Sequence, residues 1–190
     1  MNKQEEARHM ALATLATPTP AEQLASPLEY ILAEHFRQRT LCWTIDRIAD
    51  DRARDEECIA AVLRFLREEF GPHVIDEEED LFPLLRRRAE PEDRIDEVLG
   101  ALSQEHAADK FDANAILEDL DGAKAGKRFT KTFRALLHRF AANERRHLVV
   151  ENAIVLPLAR VRLTVDDLHN LGRRMAARRG IDFRGFSHAV

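Results

Sequence analysis

The sequence predicts an all-α fold: an up-down-up-down four-helix bundle with a short fifth helix at the C-terminal end. Three observations carry this expectation. Apolar residues recur at three- and four-residue spacing through four long stretches, and no stretch alternates with the period of two that a half-buried strand requires. Only 7 Gly and 7 Pro occur in 190 residues, few for an all-β chain with many tight turns. Long amphipathic segments joined by short loops are the pattern of a bundle, and a chain of this length can bury one substantial core.

The elements follow in order. Residues 1–25 read as a flexible N-terminal tail, because TPTPAEQ cannot continue a helix and offers little to bury. A start signal follows: Ser26 can cap, Pro27 fits the first helical position and Glu29 closes a capping box. The first helix then runs over about 27–49, with Leu28, Ile31, Leu32, His35, Cys42 and Ile45 facing inward. The second spans about 54–87 on Val62, Leu66, Phe70, His73, Glu77, Leu81 and Leu84, with kinks or a short break expected at Gly71-Pro72 and Pro83. The third starts near Pro91 and carries Ile95, Leu99, Leu102, His106, Ala113, Leu117 and Leu120; DGAKAGK (121–127) is the next loop. The fourth covers about 129–160 on Phe133, Leu137, Phe140, His147, Glu151, Ile154 and Leu158. In the last helix Thr164 is the cap, Asp167 answers it three residues on, and Gly180 is the stop. The bundle domain is therefore expected over 26–162, with a C-terminal helix and tail over 163–190.

Composition excludes several function classes. With 29 Lys plus Arg against 34 Asp plus Glu, the net charge is -5, which disfavours non-specific nucleic-acid binding through phosphates. The first ten residues mix basic and acidic side chains, unlike a signal peptide, and no apolar run approaches the roughly 20 residues a membrane span needs. No membrane association and a cytoplasmic location are expected. Two cysteines are too few for a disulfide scaffold or a four-Cys metal site. Eight histidines beside one Tyr and one Trp are the unusual feature.

Four of those histidines, His35, His73, His106 and His147, each lie on the apolar stripe of a different long helix. His73 and Glu77 are four residues apart and share a helix face; His147 and Glu151 repeat that spacing. His73 precedes the turn near 89–91 by about 16 residues and His106 follows it by about 15, so at about 1.5 Å per residue both sit about 24 Å from the turn. The other helix pairs agree to about one turn of helix. A single inward histidine is ordinarily a core residue bonded to a carbonyl. Four imidazoles and two carboxylates aimed into one core are a different pattern, because a buried carboxylate is costly unless paired or metal-bound.

That set suits two metal ions. Glu77 and Glu151 would bridge, His35 and His73 would hold one ion, and His106 and His147 the other. Nitrogen and oxygen donors without thiolate favour iron or manganese over structural zinc, and so few protein nitrogens per ion leave positions open for a small ligand. Ferritin-type bundles use Glu-x-x-His instead, so that sub-type is disfavoured.

These residues resemble the hemerythrin-like (HHE cation-binding) family. The resemblance rests on EYILAEHFRQR around His35, HVIDEEEDLFPLL around His73, LSQEH at His106 and HLVVENAIVLPLA around His147, and covers about 27–160. It implies two Fe ions, with Mn or a mixed Fe/Mn pair as variants, an oxo or hydroxo bridge, and chemistry on a small diatomic or peroxide ligand: O2, NO or peroxide. Oxygen-carrying hemerythrins have His-x3-His on the third helix and His-x4-Asp in the last motif. Here Lys110 stands four after His106, and the last motif is His147-x3-Glu151. The chain thus resembles a four-His, two-Glu branch, which argues against reversible oxygen carriage and leaves open a peroxidase or catalase-like activity. An iron or redox sensor, or an iron-handling protein without turnover, is the alternative. A metal-free helical interaction module is a third reading, opposed by the inward glutamates. A homodimer is left open.

Other residues carry weaker expectations. Asp80 and Glu144 fall near the inward stripes, as extra ligands or imidazole partners or, more simply, as solvent-facing or Arg-paired groups. Lys110 and Arg39 lie one turn from His106 and His35, and Tyr30 is read as core. Cys42 and Cys58 are read as buried thiols. Phe36, Phe70, Phe111 and Phe140 are read as core near the site. DEEED (76–80) apart from Glu77, and the Arg cluster 173–179, are read as solvated faces.

Overall fold

The computed structural model describes residues 2–50, 54–122 and 128–183. Among them every regular element is helical and none is a strand. Six helices are used below: α1 (Lys3–Ala16), α2 (Pro27–Asp50), α3 (56–88), α4 (Ile95–Gly122), α5 (131–162) and α6 (Val165–Arg178). α2 to α5 form the bundle, with α2 packed along α5 and α4 also against α5. The expected loop at 121–127 lies largely outside the described residues, which resume at 128.

The N-terminal segment corrects the expectation of a flexible tail. Asn2 caps α1 by accepting from the Glu5 N–H, and the acidic Glu5 and Glu6 occupy the first turn. Leu15 is fully buried and Ala11 nearly so, against the neighbouring helices. Arg37 and Arg64 both donate to the Leu15 carbonyl, satisfying an orphan helix end. Arg8 forks onto Asp55 at 2.6 and 3.0 Å. One buried Leu is worth about 1.5–3 kcal/mol, and such a sparse apolar face leaves little periodicity to read.

α3 is continuous where kinks or a short break were expected, and both α3 and α5 are locally widened. Leu66–Phe70, Asp76–Leu81 and Glu151–Val155 are π-helical. Each ends two residues before a proline: Pro72, Pro83 or Pro157. Proline lacks the N–H for its i−4 carbonyl and its ring clashes there, and widening the preceding turn relieves both without breaking the helix. The extra residue shifts the inward face. Leu85 rather than Leu84 is fully buried, and Val155, Leu156 and Ala159 take the places expected of Ile154 and Leu158, with Ile154 43% exposed. Leu32, Phe36 and Phe111 are also exposed, contrary to expectation.

Two hydrophobic clusters make the core. One holds Leu41, Ile45, Val62, Phe70, Ile116, Leu137 and Phe140. The other holds Leu28, Ile31, Leu81, Leu85, Leu99, Leu102, Val155 and Leu156. In each bundle helix the inward histidine stands between residues of one cluster and residues of the other. α6 closes the second cluster with Leu171 and Met175. Its start carries the expected capping box, Thr164 with Asp167, and Gly180 takes φ 68° just beyond its end.

Candidate metal centre

The local helix chemistry delivers six donors to one layer. His73 and Glu77 flank the start of the second π turn of α3, and Glu151 opens the π turn of α5, one helical turn after His147. π turns of this kind recur at functional sites because they re-aim side chains without ending the helix. The structure brings together all six residues singled out from the sequence. His35, His73, Glu77 and Glu151 form one group, and Glu77, His106, His147 and Glu151 a second; within each, one donor atom per residue lies within 4.8 Å of the others. The glutamates belong to both groups.

The imidazole Nε2 atoms point at the carboxylates. His35 Nε2 is 3.2 Å from Glu77 Oε1 and 3.4 Å from Glu151 Oε2. His73 Nε2 lies 3.3 Å from Glu77 Oε1, His106 Nε2 3.3 Å from Glu77 Oε2, and His147 Nε2 3.1 Å from Glu151 Oε1. All six residues are between 0% and 6% exposed, so large substrates are excluded from the donors. Glu77 Oε2, both Glu151 carboxylate oxygens and His147 Nε2 lack hydrogen-bond partners. Buried polar atoms are rarely left so. A cation ligated by these oxygens and nitrogens would satisfy them together, so the donor set fits metal ions.

Electrostatics agree. Burial opposes ionisation of Glu77, but the imidazoles of His73, His106 and His35 hold it well below the usual carboxylate range. Glu151 moves the other way, raised by burial and by the Glu77 charge. Burial pulls the imidazoles down, and facing carboxylates outweigh it at three of them. His35 and His106 rise to about 9 and His147 to about 10. His73, where burial prevails and the other imidazoles repel, falls to about 3. The facing carboxylates thus favour positive charge at three of the four imidazoles.

The sequence reading missed the groups behind the imidazoles. His106 Nδ1 donates to Glu78 Oε1 at 2.6 Å, His147 Nδ1 to Glu105 Oε2 at 2.9 Å, and His35 Nδ1 to Asn152 Oδ1 at 2.8 Å. Each acceptor neighbours a site residue in sequence or follows the stripe closely, but nothing in periodicity marks it out. DEEED is also not a solvated face. Asp76 and Asp80 are buried and meet the arginines of α6: Asp76 accepts from Arg178 and, at 2.7 Å, from Arg179; Asp80 accepts from Arg174 at 2.7 Å and Arg178 at 2.9 Å. The reading of 173–179 as an exposed face holds for Arg173 and Arg174 and is corrected for the half-buried Arg178 and Arg179. Asp80 is thus Arg-paired. Glu144 is buried and Lys110 and Arg39 are exposed, while Tyr30 is buried beneath the Arg179 guanidinium. Cys42 and Cys58 are free, buried thiols.

A helical bundle with a buried layer of four imidazoles and two shared carboxylates defines a cation-binding helical protein. The family model of the Hemerythrin HHE cation binding domain matches residues 26–159, and the chain belongs to that family. No curated protein matches the chain. Among the described residues, no helix is long and apolar enough to cross a membrane.

Proposed function

We propose that His35, His73, Glu77, His106, His147 and Glu151 hold a pair of iron ions, and that the protein binds or reduces a small oxidant there: O2, NO or peroxide. The observation that carries this reading is the sharing of Glu77 and Glu151 by both donor groups. Two carboxylates common to two sets of imidazoles suit two adjacent cations. Nitrogen and oxygen donors with no thiolate favour iron or manganese. An iron pair held there would supply two one-electron steps between ferrous and ferric states. The chain's own residues do the rest: Glu77 and Glu151 span the two groups, and burial keeps bulk water and large molecules out. The alternation of the two hydrophobic clusters along successive helices supports an up-down-up-down order, with the layer at mid-height. A cytoplasmic location accords with the free Cys42 and Cys58.

A second reading, an iron or redox sensor without turnover, is favoured by one contact. Asp76, beside Glu77, anchors Arg179 beyond the end of α6, so the turn that presents Glu77 is tied to a segment outside the bundle.

The test is the metal content and visible spectrum of protein made in iron-supplemented cells, before and after azide or peroxide. About two irons per chain, expected from this donor count, with absorption that responds to azide, supports the reading. A folded protein without metal overturns it. Repeated consumption of peroxide favours the enzyme and a single stoichiometric reaction the sensor.

A further inference from the structure

A cavity lies outside the donor layer, where the connector between α1 and α2 meets α2, α3 and the segment after α6. It measures about 490 Å³, and its walls include Pro18, Pro20, Tyr30, Pro72 and Ile181. Small-molecule sites have this size and combine apolar walls with a few placed polar groups. Glu34 is the least exposed polar group of the lining, at 3%.

The two oxygens of Glu34 are used unequally. Oε1 accepts from the Thr19 hydroxyl and, at 3.2 Å, from Arg37. Among the described residues no hydrogen bond reaches Oε2. An ionised carboxylate only accepts, and a buried one is rarely left half-satisfied. The guanidiniums lining the cavity are already committed. Arg64 donates to Glu69 at 3.0 Å and to the Leu15 carbonyl, and Arg179 to Asp76 at 2.7 Å and to the Met175 carbonyl at 3.0 Å. Glu68, 64% exposed at its side chain, adds an acid at the edge, with Arg64 at 3.9 Å. The capacity left over is therefore for accepting hydrogen bonds, and it carries negative charge.

We infer that this cavity is a binding site for a small organic ammonium ion with an apolar body. The ammonium N–H groups donate to Glu34 Oε2, a charge-assisted bond away from bulk water, and the body packs against the prolines and Ile181. Neither Glu34 nor the rest of the lining belongs to the donor set, so the site stands whether or not the layer holds metal.

The experiment is an amide NMR titration of the full-length metal-free protein, in which no iron can ligate the amine. The probes are benzylammonium, benzyl alcohol and benzoate, which share one ring and differ in charge. Benzylammonium is expected to bind saturably, with shifts centred on Thr19, Ala21, Glu34 and Ile181. Benzyl alcohol should bind about 10- to 100-fold more weakly, the fold-change equivalent to a hydrogen bond to a charged group, and benzoate no better than the alcohol. Glu34→Gln should weaken benzylammonium by about the same factor, and Glu68→Gln by less than about fivefold, as for an exposed charge. Equal binding of benzyl alcohol, a preference for benzoate, shifts scattered over the surface without saturation, or undiminished binding by folded Glu34→Gln each overturns the site. The three-probe comparison on the wild type decides even if Glu34→Gln fails to fold.

Discussion

The Arg179 guanidinium donates to Asp76 Oδ2 at 2.7 Å, and Asp76 immediately precedes Glu77 in the chain. The C-terminal segment is thereby tied to the turn that presents a shared carboxylate of the layer. Asp76 is almost fully buried at its side chain, and burial raises its carboxyl against the pull of Arg179 and Arg178. Stripping a buried charge of its partner costs about 3–5 kcal/mol, and Arg178, which also donates to Asp76, keeps the loss of Arg179 alone below that ceiling. Arg179→Ala is therefore expected to lower the unfolding free energy of the metal-free protein, measured in urea, by about 1–3 kcal/mol. A loss under about 1 kcal/mol would show that the pair behaves as a surface ion pair.

At Gly172 the α6 backbone lies close against Leu24. A Cβ there would lie 2.2 Å from the Leu24 carbonyl oxygen, a backbone atom that cannot swing aside, and 3.3 Å from the Phe183 ring. Gly172→Ala is expected to destabilise by about 1–3 kcal/mol or more through overpacking. The cap variant Thr164→Ala, which removes the bond to the Asp167 N–H, should cost only about 1 kcal/mol. Thermal unfolding of both variants beside the wild type checks the order. A silent Gly172→Ala would mean that α6 docks differently.

Glu144 gives a pH dependence. Burial raises its carboxyl from 4.5 to about 8, and burial raises Asp109 from 3.8 to about 6. Both folded-state values exceed the unfolded ones, so the folded chain binds more protons across that window. Their contribution is fully present below the unfolded values and is lost as pH rises through the folded ones. Glu144→Gln removes the larger share. Relative to wild type, the metal-free variant should gain stability between about pH 5 and about pH 9, on the order of a few kcal/mol. Urea unfolding at both pH values measures the difference. A gap between variant and wild type that does not change with pH would disprove it.

Metal removal should lower stability without unfolding the bundle. Both hydrophobic clusters are complete without a cation, and His35 Nε2 bonds Glu77 Oε1 across the layer at 3.2 Å. A cation present at 100 times its dissociation constant adds about 2.7 kcal/mol. Chelator treatment is thus expected to drop the melting temperature by several degrees while the far-ultraviolet circular dichroism keeps its helical shape. Loss of helix on chelation would show that the metal is required for folding.

Much of the layer was legible in the sequence because helical spacing is a local property. His73 with Glu77, and His147 with Glu151, share a face by the geometry of one turn, and the lone His35 and His106 fall on stripes of Leu and Ile. The stripes failed beyond the π turns. Ile154 and Leu84 were read inward on an unbroken period, and the widened turns before Pro157 and Pro83 moved burial to Val155, Leu156 and Leu85. Proline marked where the helix would be disturbed, but not that it would widen instead of break.

The sequence by itself determined the four bundle helices, the inward histidines and glutamates, and the cap and stop of α6, because each depends on residues within a turn or two of one another. Only the tertiary structure decided what surrounds them. Glu105 stands behind His147 across 42 residues, Asn152 behind His35 across 117, and Arg179 meets Asp76 across 103. α1 folds onto the bundle through Leu15 and the Arg8–Asp55 fork, with a face too sparse to announce itself. Charged residues have no periodicity that separates solvent from a buried partner. Whether Asp76 and Arg179 face water or each other depends on which helices pack together, and that choice is made by the core.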